Sequence, residues 1–67
     1  MSLLKVIEVL AESDKNWEDA AQNAVKQAGD TVRNIKSIYI ENFEASVKDG
    51  KISSYRVNAK ISFLLDK

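Results

Sequence analysis

The chain contains no cysteine and no histidine, only two glycines, no excess charge of either sign and no long apolar run. Without cysteine there is no disulfide framework, and without cysteine or histidine the usual zinc ligands are missing. The same absences remove the common general base and the thiol nucleophile, so hydrolase triads are excluded and an enzyme is not expected. Gly29 and Gly50 alone make no glycine-rich phosphate loop. Ten basic residues balance ten acidic ones, leaving no field to gather phosphate backbones or anionic lipid, which argues against nucleic acid as a partner. The apolar stretches around Ile7 to Ala11 and Ile61 to Leu65 fall far short of the roughly 20 residues of a membrane span. Met1 to Lys5 shows no basic region followed by an apolar run and a small-residue cleavage site, so a cytoplasmic protein away from the membrane is expected.

Sixty-seven residues form one domain at most, spanning 1–67. A chain this short buries only about 60% of the surface its unfolded form exposes. With disulfides and zinc excluded, self-association is the reinforcement that remains. Hydrophobic residues at 45% and charged ones at 30% are ordinary for a folded domain, and no linker, repeat or disordered segment is visible.

Leu3 to Ala11 is rich in β-branched residues with apolar groups at both odd and even positions, which predicts a strand covered on both faces. Ser13-Asp14-Lys15-Asn16 interrupts it, and Asn16 followed by Glu18 and Asp19 forms a helix start with acids in the first turn. From Trp17 the apolar positions Ala20, Ala21, Ala24, Val25, Ala28, Thr31 and Val32 recur at three and four residues. This predicts an amphipathic helix of about four turns, fraying by Asn34, with Gly29 marking a tight contact inside it. Its alanine stripe predicts close docking on a sheet. Trp17 is expected to plug the sheet's end and not to serve as a stacking platform. Ile35 to Val47 and Ile52 to Leu65 read as two strands around Lys48-Asp49-Gly50-Lys51, a strong hairpin signal. In the last strand Tyr55, Val57, Ala59, Ile61, Phe63 and Leu65 alternate with polar residues. In the second strand Ser37, Tyr39, Glu41, Phe43, Ala45 and Val47 fall on one face and Ile38 and Ile40 on the other.

The fold class is therefore α+β, a β-α-β-β chain with one amphipathic helix on a three-stranded antiparallel sheet. A crossover helix brings the second strand back parallel to the first, and placing the third between them makes every pairing antiparallel, giving the order 1-3-2. A helix of about 24 Å cannot cover strands of over 30 Å, so other copies of the chain are expected to bury the rest. Glu8, Glu12, Glu41 and Glu44 are read as solvated or ion-paired carboxylates, not as catalysts. Asp14 to Val25 begins like an EF-hand loop but has Asp19 where glycine is required and Val25 where the bidentate glutamate belongs.

Lys5-Val6-Ile7-Glu8-Val9, Ser13 with Trp17-Glu18-Asp19-Ala20, Thr31-Val32-Arg33-Asn34-Ile35, Asp49-Gly50-Lys51, Tyr55-Arg56-Val57 and Lys60-Ile61-Ser62-Phe63 together resemble the dodecins. The resemblance covers nearly the whole chain in order and spacing. It implies a β-α-β-β subunit, a homododecamer forming a hollow shell of cubic symmetry, and a role in small-molecule binding or storage. Many dodecins stack flavins in pairs between aromatic rings at subunit interfaces.

The flavin site implied by the resemblance is altered in this chain. Flavin-binding dodecins carry a Trp just after the helix, and Ser37 stands at that position in Asn34-Ile35-Lys36-Ser37. A serine offers no π-face to an isoalloxazine ring. The glutamine of their Tyr-Gln-Val segment is replaced by Arg56, which donates hydrogen bonds but accepts none. The basic residues that often precede the hairpin are replaced by Glu44 and Ser46. Ser37 and Arg56 are thus the ligand-binding candidates, with flavin disfavoured. At least one dodecin-like type binds calcium, so Glu41, Glu44 and Asp49, gathered by symmetry axes, are candidate metal ligands. The plainer expectation is that these acids pair with Lys36, Lys48, Lys51 or Arg56. A structural assembly without ligand is the third alternative.

Overall fold

The computed structural model describes residues 3–65; the ends of the 1–67 reading, including Met1 and Ser2, lie outside the described residues. The elements are β1 (Leu4–Ser13), α1 (Trp17–Ala28), β2 (Ile35–Lys48) and β3 (Lys51–Leu64). The sheet order is β1-β3-β2 with both pairings antiparallel, as the sequence predicts.

The helix begins where the capping signal places it. Asn16 is extended and its side chain accepts from the Asp19 backbone N–H at 2.6 Å, while Glu18 and Asp19 occupy the dipole-favoured first turn. Ahead of it the buried Ser13 hydroxyl donates to Asp19 at 2.6 Å and accepts from the Lys15 N–H at 2.9 Å, fixing the turn out of β1.

The helix ends earlier than its periodicity predicts. Regular helix stops at Ala28, and Gly29 caps it by donating to the Val25 carbonyl at 3.0 Å. Beyond it Asp30 and Thr31 donate to carbonyls three residues back, the tighter spacing typical of a helix terminus. The Thr31 hydroxyl also donates to the Ala28 carbonyl, a local bond that competes with helix continuation. Gly29 is therefore a terminus and not a tight contact: a Cβ there would meet only the carbonyls of Lys26 and Val25. Asn34, at φ 62, turns the chain into β2.

The β2–β3 turn consists of Asp49 and Gly50 at φ 53 and 75, closed by Lys48 opposite Lys51. Two consecutive positive φ values give the twist that antiparallel strands favour, and the glycine accepts its value without strain.

The core lies between α1 and the sheet. Ala20, Ala24 and Ala28 bring the helix down onto β3, whose Val57, Ala59, Ile61 and Phe63 are buried. Ile7, Val9, Ala11, Ile35 and Ile38 pack around this cluster. Trp17 plugs the sheet's end as expected, edge-on to Tyr55 and Phe43 with centroids at 4.9 and 6.0 Å, its indole N–H donating to the Glu44 carbonyl at 2.9 Å.

The face assignment predicted for β2 is corrected by two bulges. The register against β3 skips Lys36 and Glu41, so each extra residue shifts the alternation by one. Ile38, Ile40, Phe43 and Ala45 consequently lie opposite Ile61, Ala59, Val57 and Tyr55 on the helix face, while Ser37, Tyr39, Asn42 and Glu44 lie on the outer face. Strict alternation from Ser37 puts Phe43 and Ala45 on the wrong side.

Candidate functional site

The outer sheet face carries the polar chemistry. Along β3 it presents Arg56, Asn58, Lys60 and Ser62, and the register sets a residue of each edge strand beside each of them. Ser62 lies between Val6 and Ser37, Lys60 between Glu8 and Tyr39, and Arg56 between Glu12 and Glu44. Three carboxylates, Glu8, Glu12 and Glu44, thus stand in register beside the two cations of β3 on this face.

The Arg56 row is the most tightly made. Its Nε and Nη2 both approach one oxygen of Glu12, at 2.9 and 2.8 Å, and Nη1 donates to Glu44 at 3.2 Å. Nη2 also lies 3.4 Å from the Ser46 hydroxyl. The arginine side chain is 29% exposed, against 55% and 61% for its two acids. The hydrogen bond to Glu12 above all, and then that to Glu44, holds the guanidinium pKa above its ordinary, already high range. Arg56 is therefore an ion-paired residue whose donors are turned to its own chain.

The other candidates are placed separately. The Ser37 hydroxyl makes a short hydrogen bond with the Ser62 hydroxyl across the strand pair. Glu41, at its bulge, lies 3.9 Å from the Lys60 ammonium, a looser pair than that of Arg56. Asp49 is exposed at the tip of the hairpin turn. Ser37 and Arg56 share the outer face but sit six β3 positions apart, about 20 Å. One chain does not bring them together, and among the described residues no group of three or more acids is placed to hold a metal. An apolar groove of about 190 Å³ between β1 and α1 is lined by Ile7, Val9, Ala11, Ala24 and Ala28 and by none of these candidates.

The sequence reading did not single out Glu12 as the partner of Arg56. Its signal was available in combination: alternation puts Glu12 on the outer face of β1, and the 1-3-2 order makes β1 a neighbour of β3.

Residues 3–66 match the family model described as Dodecin. The chain belongs to the dodecin family. Members are small ligand-binding and storage proteins, not enzymes. Among curated dodecins it is 33% identical over 63 residues to "Calcium dodecin" of Mycobacterium tuberculosis (strain ATCC 25618 / H37Rv), a match covering 94% of this chain and 89% of the relative. The crystal structure of that calcium-chelating antigen, reported with a novel calcium-binding site, aligns with a TM-score of 0.82 at 35% identity, covering 97% of this chain and 93% of that one. The dodecin of Streptomyces coelicolor aligns with a TM-score of 0.93 at 26% identity, covering 98% and 94%. Among the described residues no helix is long and apolar enough to cross a membrane.

Proposed function

We propose that this dodecin-family chain assembles into a homododecameric shell that binds or stores a small molecule in the cytoplasm, with the paired-flavin site of its relatives lost or rebuilt. The observation that carries the altered site is the pairing of both substituted positions within the chain. Ser37 is bonded to Ser62 and Arg56 is held by Glu12 and Glu44, so neither presents the stacking surface or two-way hydrogen bonding that a flavin pocket uses. Trp17 does not supply the missing ring in this reading, because it is committed on the helix face to Tyr55, Phe43 and the Glu44 carbonyl.

Assembly is supported by surface area. The chain exposes 5119 Å² at 7.5 kDa, whereas a compact monomer of that mass exposes about 4,250 Å². The surplus of roughly 870 Å² is close to the ~800 Å² that one partner contributes to a standard interface. Much of it is apolar: Leu10, Phe43 and Val47 are 66%, 62% and 68% exposed. The 20 Å between Ser37 and Arg56 also fits a pocket shared between copies better than one within a chain.

Native mass spectrometry of the purified protein tests the shell, and a twelve-subunit mass is expected; a monomer or dimer overturns it. Flavin titration tests the pocket. The wild type is expected to leave flavin fluorescence unquenched, and the combined variant Ser37→Trp, Arg56→Gln to restore quenching. Binding of flavin by the wild type would overturn the altered-site reading.

A second reading, calcium binding, is favoured by the 33% identity to a relative named calcium dodecin. Within one chain Glu44 is taken by Arg56 and Glu41 lies beside Lys60. Calcium would therefore need carboxylates such as Asp49 from several copies, meeting at a symmetry axis. The test is a melting temperature that rises with calcium and falls back on chelation.

A further inference from the structure

We propose that Glu12 and Glu44 are positioning residues that set the ligand class at the Arg56 position: they close the guanidinium to anions, and the guanidinium closes their carboxylate pair to metal cations. This rests on reading the outer sheet face as part of the ligand pocket.

The geometry carries the inference. An arginine recognises phosphate or carboxylate through paired donors in a planar fork. At Arg56 the Nε and Nη2 edge is spent on Glu12 and Nη1 on Glu44. An incoming anion therefore meets donors already committed and two carboxylates that repel it. The converse holds for a cation, since the space between the two acids is filled by a positive group that no physiological pH discharges.

The clamp is a product of register and not of chance encounter between long side chains. Glu12 and Glu44 both lie directly opposite Arg56, one from each edge strand, so the ladder sets them there. The Lys60 row shows the contrast. Its register partners are Glu8 and Tyr39, and the contact to Glu41, at 3.9 Å, comes from a bulge residue outside the row. Among these rows only that of Arg56 has a carboxylate in register on both sides.

Three variants test the proposal: Glu12→Gln with Glu44→Gln, Arg56→Gln alone, and all three changes together. Inorganic phosphate and calcium are each titrated calorimetrically, with far-ultraviolet circular dichroism confirming the fold. Freeing the guanidinium should tighten phosphate binding about tenfold over wild type, the size of one charge-assisted hydrogen bond. Removing the guanidinium should tighten calcium binding by a similar factor, and the triple variant should show neither gain. A folded double variant with no phosphate gain overturns the proposal, as does a wild type that binds either ion as tightly as the variants. If the double variant does not fold, Glu44→Gln alone must show a smaller phosphate gain, and no gain there is equally decisive. Neither titration involves flavin, so these outcomes stand apart from the flavin and mass measurements that test the shell reading.

Discussion

Ile61 is where the core converges on one side chain. It is fully buried, faces Ile7 and Ile38 on its two neighbouring strands, and lies under Ala24 and Ala28 of the helix. The alanines have no longer side chain to swing into a vacancy, so Ile61→Ala should cost about 2–5 kcal/mol, measured as a fall in the urea midpoint with an unchanged slope. At the other end of the helix, Asn16→Ala removes the acceptor of the Asp19 N–H and should cost about 1 kcal/mol by the same measurement. Asn16→Asp should recover most of it, because aspartate caps equally well. Single residues with local signals were legible in the sequence: the cap needs only its neighbours, and the burial of Ile61 follows from a clean period of two. Arg56 was legible as an ion-pair former, but Glu12 lies 44 residues away. Only the strand register makes them neighbours.

At the scale of elements, the sequence shows what forms but not always where it breaks. The three strands, the helix and the Asp49-Gly50 turn follow from patterns with strong physical causes. The helix terminus falls earlier than the periodicity predicts because Thr31 and Val32 continue the apolar stripe past Ala28, where the bonds of Asp30 and Thr31 tighten to three-residue spacing. The β2 faces were misassigned because a bulge changes the phase of alternation without any distinctive residue: Lys36 and Glu41 resemble any exposed strand residue. The bulges make a specific prediction. Deleting Glu41 leaves Ile40 followed directly by Asn42, in the phase that the pairing with Ala59 and Asn58 already uses. The deletion should therefore preserve a cooperative thermal transition and the near-ultraviolet signal of Trp17. A collapse of that signal on deletion would mean that Glu41 is not an extra residue in the ladder.

For the molecule as a whole, shape is the informative quantity. The chain measures 51 × 19 × 13 Å with a radius of gyration of 13.7 Å, against about 11 Å for a compact domain of this length. The hairpin outruns both β1 and the helix, since β1 ends opposite Tyr55 while β2 and β3 continue to the Asp49-Gly50 turn. Stability that depends on neighbours depends on concentration, so the melting temperature should fall on serial dilution; an invariant value would mean that the subunit stands alone. This scale was legible through chain length, missing cysteines and the mismatch between helix and strand lengths, none of which needs exact boundaries. The strand order also governs when the subunit takes shape during synthesis. Among the described elements the central strand is made after the other three, and each of them packs against it, so during synthesis β1 and α1 wait for their partner. The nascent chain must carry Ile7, Val9 and its alanine stripe uncovered until Ile61 and Phe63 emerge. A ribosome stalled within β3 should therefore hold a protease-sensitive chain.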